Sequence, residues 1–378
     1  MHTKHQNKAL IILSIIICSG ISLSSSAQKL SNWKDALYQA DGWYATNEAT
    51  QVADNLLLYQ SELGGWAKDI NMATPITKEK IEKQKKKNTN QINETTIDRG
   101  ASCSQIEFLA RVFNATGLKQ YKKACLKGIN FLLEAQYENG GWAQFYPLKE
   151  GYHKHITFND GAMIGVLNFL HRVAIGEFNF IDSKTRQRCA KAVDKGINAI
   201  LQCQIVVDGT PTVWCAQHDE TTFQPTEARV YEHPSLDGFE SVAIVEFLLT
   251  VDNPSPELIQ SVKNAVAWFE ASRISGIRLV QINNPESESG FDYVVGFDPS
   301  SMQSMWARFY EIETNYPIFV NYDGTTHYSI GEIEIERRTN FAWFGYWAEK
   351  LLTEDYPAWC EKQSPLQLPQ GGKVKALD

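Results

Sequence analysis

Two aspartates, three arginines and a histidine sit in short polar clusters that interrupt an otherwise apolar pattern. Asp98 and Arg99 lie in TTIDRGAS (Thr95–Ser102), and Asp160 in ITFNDGAM (Ile156–Met163). His218 lies in WCAQHDE (Trp214–Glu220), Arg229 in ARVYEHPSLDGFES (Ala228–Ser241), and Arg308 in WARFYEIETN (Trp306–Asn315). Each aspartate stands just before a small-residue helix start, where a carboxylate accepts backbone N–H bonds as a cap. The same two carboxylates, if they converge, suit a hard cation such as Ca²⁺, whose ligands are oxygen. His218 has no HxxxH or HxxE partner near it, so it reads as a substrate contact or a supporting residue rather than a zinc ligand. Arg229 and Arg308 sit among aromatics with Glu232 and Glu311 nearby. They read equally as stacked ion pairs and as planar forks for a substrate carboxylate.

The elements that must position these residues repeat along the chain. NLLLYQSELGGW begins at Asn55, NFLLEAQYENGGW at Asn130, NAILQCQIVVDGTPTVW at Asn198, and a fainter echo, NAVAWFEASRISGIRLV, at Asn264. Steps of roughly 70 residues fit a helix pair plus loops. Partner helices are expected at Cys103–Asn114, Gly161–Val173 and Leu236–Leu249, where apolar residues recur every three or four positions. Strand-like alternation is rare, and Tyr310–Ile330 is the one expected hairpin region. The pattern is an all-α protein, an α/α toroid whose long loops gather at one mouth. A glycine pair turns the chain off each helix end. Trp142 and Tyr146 then either pack over that end or face the cleft.

The chain has 378 residues and a formal net charge of −8, which argues against nucleic acid as partner. A local cluster of cations can still recruit an anionic substrate. Outside the N-terminus no apolar run approaches the roughly 20 residues that span a membrane. MHTKHQNKALIILSIIICSGISLSSSAQKL reads as a signal peptide: Lys4 and Lys8, an apolar stretch from Ala9 to Leu23, then small residues up to a cleavage site at Ala27. The mature protein is therefore expected to be exported and monomeric, with no stable membrane insertion. Residues 28–360 form one catalytic domain and 361–378 a frayed tail. Thr77–Asn93 is a lysine-rich loop or exposed helix. Cys103, Cys125, Cys189, Cys203, Cys215 and Cys360 remain, and buried thiols and one or two bridges stand level.

TTIDRGAS, NGGWAQFYPL, ITFNDGAM, VWCAQHDE, ARVYEHPSL, WARFYEIETN and IEIERRTNFAWFG occur in this order. Together, from about Ala40 to Leu352, they resemble the family 10 pectate lyases. The resemblance implies an (α/α)₃ toroid that cleaves polygalacturonate, the unmethylated form of pectin, by calcium-assisted β-elimination. By motif position it implies Asp160 as principal calcium ligand and Asp98 as the aspartate completing the metal and substrate centre. It implies Arg229 as the base, Arg308 as a clamp on a substrate carboxylate, and Trp142 and Tyr146 as lining of sugar subsites. An arginine base needs its neutral form made accessible, so an alkaline optimum is expected.

The chain departs from the family motif at Arg99, where asparagine follows the aspartate. It departs again at Tyr322, where an arginine often precedes the Asp-Gly of a late hairpin. Arg99 either repels calcium or supplies a relocated clamp. Two rivals remain on the same scaffold: a non-catalytic, calcium-dependent pectin-binding protein, and a uronic-acid hydrolase using two carboxylates. QYENGGW also fits a terpene-cyclase pattern, but no DxDD acid is present.

Overall fold

A computed structural model describes residues 33–363, apart from 75–76, 78, 80–82, 84–93 and 302. The expected signal peptide, most of the lysine-rich segment and residues 364–378 lie outside the described residues. Residues 361–363 of the expected tail are helical, in the element Tyr356–Gln363.

Three helical hairpins follow a first helix, α1 (Asn47–Tyr59). They are α2 (Cys103–Thr116) with α3 (Lys119–Glu134), α4 (Ala162–Ala174) with α5 (Ser183–Cys203), and α6 (Glu240–Leu249) with α7 (Pro256–Ala271). Each hairpin packs helix on helix; α4 touches both α2 and α6, and α5 touches both α3 and α7. The fold is therefore the expected α/α toroid, with α2, α4 and α6 inside and α3, α5 and α7 outside. Sequence explains the sorting. AMIGVLNFLHRVA of α4 is apolar almost all round, as a helix walled in by others must be. The outer α5 buries one stripe only, Cys189, Ala192, Val193, Gly196, Ala199, Ile200 and Cys203. Asp182 and Ser255 cap α5 and α7 by accepting the N–H of Thr185 (2.9 Å) and Leu258 (3.2 Å).

The recurring phrase is a structural clamp. Each tryptophan that follows a helix end donates its Nε1–H back to that helix: Trp66 to Leu56 O (2.8 Å), Trp142 to Leu132 O (2.8 Å) and Trp214 to Ile200 O (2.7 Å). A repeated glutamine ties the same loop to the next helix of the outer layer. Nε2 of Gln60, Gln136 and Gln204 donates to the carbonyls of Ala124, Ala192 and Ser261 at 2.9, 2.8 and 3.0 Å. Gly140, at φ +98°, lets the loop pass there, since a Cβ on it would stand 2.0 Å from Lys195 O. Trp142 therefore lines no subsite: it is fully buried, with its one donor spent on the backbone.

The faint fourth echo uses the same device at longer range. Trp306 Nε1 donates to Phe269 O (2.9 Å), but a hairpin of Ile277–Asn283 and Phe291–Phe297 is inserted between them. That hairpin is longer than the expected one, which shrinks to Phe319–Val320 paired with Thr326–His327. Tyr310, expected in the same hairpin, instead pairs with Leu236. All six cysteines of the described region are free, five of them buried.

Gly140→Ala should destabilise the protein by about 1–3 kcal/mol, because both the φ and the space at that position exclude a side chain. Chemical denaturation checks it, and an unchanged midpoint would contradict the clamp.

Candidate active site

The loops that leave the clamps end in tight turns at the starts of the inner helices. Two of these turns face each other. In Asp98–Gly100 the left-handed residue is Arg99 (φ 51°); in Asn159–Gly161 it is Asp160 (φ 53°). Arg99, not Asp98, is thus the positional counterpart of Asp160, and Asp98 corresponds to Asn159. The third copy reads Asp237-Gly238, with Ser241 accepting the N–H of Trp214 (3.1 Å) as Ser102 accepts that of Trp66 (3.0 Å).

Arg99 and Asp160 meet across a cavity of about 770 Å³ that Lys34, Asp69, Glu240 and Trp347 also line. Arg99 Nε lies 3.5 Å from Asp160 Oδ2, and its Nη1 lies 3.4 Å from Asp69 Oδ1. All three side chains are more than a third exposed, so each pair is worth under about 1 kcal/mol and exchanges readily. Asp98 is buried. Its Oδ2 accepts from Lys68 Nζ, while its Oδ1 has no partner.

A buried network stands behind the Asp160 turn. Glu240 Oε1 accepts the N–H of Asp160 (2.9 Å) and Arg308 Nη2–H (3.1 Å), and Oε2 accepts the N–H of Gly161 (3.2 Å). Burial, reinforced by the charge of Asp237, pushes Glu240 up to about 8, with Arg308 pulling the other way. Arg308 is 8% exposed and lies 4.3 Å from the Phe239 ring centre and 4.7 Å from that of Phe341. In place of the expected clamp on a substrate carboxylate or stacked pair with Glu311, Arg308 is engaged by Glu240 and boxed in by rings.

Arg229 does not line this cavity. Its charge is felt at His153, whose imidazole is held below the usual range by burial and by the charges of Lys149, Lys68 and Arg229, while Asp98 pulls it up. Arg229 Nη1 pairs with Glu232 Oε1 at 2.7 Å, and the guanidinium lies 5.6 Å from the Tyr152 ring centre. Partial burial lowers its pKa, but the Glu232 carboxylate outweighs that and holds Arg229 above the ordinary arginine value. Tyr146 is half-buried against Phe131, with ring centres 5.9 Å apart.

His218 does not reach the cavity. It is fully buried, with Nε2 accepting the N–H of Cys215 (3.0 Å) and Nδ1 donating to Phe223 O (2.8 Å). Both ring nitrogens serve the backbone, which fixes the tautomer and leaves nothing for a substrate.

Asp160 and Asp69 line the cavity and the buried Asp98 has an oxygen without a partner, which are the oxygen donors a hard divalent cation takes, although the three do not bring ligand atoms within 4.8 Å of one another. Arg99 pairs with Asp160 and Asp69, and Lys68 with Asp98. Among the described residues, His155, Asp219 and Glu220 bring ligand atoms within 4.8 Å of one another. There, however, Lys154 pairs with Glu220 (2.9 Å) and Asp219 accepts from the N–H of Thr221 and Thr222, so an ion-pair network accounts for the group.

Sequence reasoning missed Lys68, Asp69 and Glu240. Glu240 was visible as the acid three residues after Asp237 in the third turn motif; Lys68 and Asp69 carry no spacing that marks them.

The profile of the pectic acid lyase family matches residues 60–352. The fold is similar to a family 10 polysaccharide lyase from Cellvibrio cellulosa, with 33% identity and a TM-score of 0.67 over 83% of this chain and 96% of that one. An aspartate-to-alanine mutant of such a lyase from the same organism, in complex with trigalacturonic acid, gives 32% identity and a TM-score of 0.68. That match covers 84% of this chain and 96% of the other. No curated protein matches the chain.

Burial holds His218 down at about 4. A proton that only the unfolded chain accepts below its ordinary value of about 6.5 destabilises the fold, so stability should fall from about pH 6.5 to pH 4 and level off beneath. The loss is on the order of 3 kcal/mol. His218→Gln should flatten that part of the curve measured by denaturation against pH; an unchanged slope would contradict the assignment.

Proposed function

From a chain that belongs to the pectic acid lyase family, and is thus a polysaccharide lyase, we propose an exported enzyme that cleaves polygalacturonate by calcium-assisted β-elimination, with Arg229 as the base. The observation that supports it best is the pairing of Arg99 with Asp160 across one cavity, beside a buried Asp98 that has an unpartnered oxygen and a Lys68 partner.

Asp98 and Asp160 are the residues that would hold the calcium. When bound, it draws charge from a uronate carboxylate and so makes the neighbouring C5 proton more acidic. Arg99 binds the same class of group. An incoming carboxylate competes with Asp160 and Asp69 for its guanidinium, and those weak pairs give way, which releases Asp160. This makes Arg99 the relocated clamp, with Arg308 supporting the site from behind and Tyr146 beside the sugar path. Neutral Arg229 takes the C5 proton, the C5–H electron pair becomes the 4,5-double bond, and the C4–O bond breaks with the leaving oxygen taking a proton from water.

The base has to lose a proton that Glu232 helps it keep. Turnover is therefore expected to rise with pH well past neutrality. Export rests on the N-terminal 27 residues; no helix of the described chain is long and apolar enough to cross a membrane.

Arg229→Ala should abolish turnover of polygalacturonate while calorimetric binding of trigalacturonate stays within a few-fold of the parent. Retained turnover would remove Arg229 from its role. In the parent, kcat/KM should climb between neutral and alkaline pH, and a profile that declines from neutrality would count against an arginine base.

A further inference from the structure

Glu240 is the first residue of α6, yet its side chain does nothing for its own helix. The cap there is Asp237, whose Oδ1 accepts the N–H of Phe239 and of Glu240, both at 2.8 Å. Glu240 instead reaches across to the preceding hairpin. Its two oxygens take both N–H groups of the Asp160-Gly161 turn and one arm of Arg308, at 2.9, 3.2 and 3.1 Å.

Asp160 needs such an anchor. A non-glycine residue in the left-handed region is disfavoured, and it persists where the surroundings over-determine the backbone. No side chain of the turn itself provides this: the turn has no side-chain cap bond. Glu240 is 2% exposed, so water does not compete for these three donors. Asp237 stands beside this network with its Oδ1 spent on the cap of α6 and its Oδ2 without a partner. The acidic and basic parts of the site are therefore tied to a single carboxylate.

We infer that Glu240 is a positioning residue which fixes the Asp160 carboxylate and the Arg308 guanidinium relative to one another. The inference rests on the lyase reading above and adds to it the group that holds the acidic turn in register. It predicts a loss that appears in metal affinity and turnover, whereas a purely structural role would appear only in stability.

The test uses the full chain with Glu240→Gln, which keeps shape and volume but turns one acceptor into an N–H₂ donor facing N–H groups. Calcium affinity measured by calorimetry without substrate should weaken roughly 10–100-fold, and kcat on polygalacturonate should fall by a similar factor. Ser241→Ala, which removes the acceptor of the Trp214 N–H in the same third turn and bonds none of Asp160, Glu240 and Arg308, should lower the unfolding midpoint while calcium affinity stays near the parent's. Parental affinity and kcat in Glu240→Gln would overturn the inference, as would an equal calcium loss in Ser241→Ala. If Glu240→Gln does not fold, Glu240→Asp, which keeps the charge but withdraws it from the turn, decides by the same readouts. A parent that binds no calcium sinks the metal reading instead, and the kcat loss then decides for Glu240 alone.

Discussion

Four loops of this ring are each pinned by an indole N–H on a carbonyl of the preceding helix. The bond is short, buried and repeated at Trp66, Trp142, Trp214 and Trp306. An indole has one donor and a large apolar body, so burying it unsatisfied would be costly, and burying it satisfied fixes both loop and helix end. The glutamines add a cross-link from each loop to the next outer helix. With its root fixed this way, the chain has little freedom over where the next inner helix begins. The turns at those beginnings are what face the cavity.

Geometry at the mouth then follows from a repeated turn carrying different residues. One turn presents Arg99 and its neighbour presents Asp160 at the same left-handed position, and the two reach each other across the cavity. Placing opposite charges on equivalent positions of adjacent units gives a resting ion pair that is exposed and weak. A carboxylate-rich polymer can exchange into such a pair at little cost. The charges that matter for its recognition are thus local, and the overall excess of acid does not oppose them.

Much of this was legible in the sequence, and the failures have physical reasons. The hairpins followed from helical periodicity and the repeated phrase, because inner helices are apolar on all sides and outer ones on one stripe. The motifs named the family and marked Asp160 and Arg99, which meet across one cavity. Trp142 was misjudged because an aromatic after a glycine pair looks the same whether it faces a cleft or plugs a helix end; its partner, Leu132 O, is a backbone atom that no side-chain pattern records. His218 failed likewise, since both of its partners are backbone groups. Asp98 and Asp160 read as a like pair, although TIDRGA laid on TFNDGA already sets Arg99 opposite Asp160, as the φ angles bear out. The long hairpin was hidden by the fourth echo, whose tryptophan had moved beyond the insertion.

The central claim is that the charged turns at this mouth support elimination assisted by a divalent metal. Its most direct test is ultraviolet absorbance of polygalacturonate incubated with the protein in calcium, then in EDTA, then with calcium restored. The account predicts absorbance from a new 4,5-double bond that rises, stops with the chelator and resumes. New reducing ends without absorbance, or absorbance that EDTA leaves untouched, would contradict it.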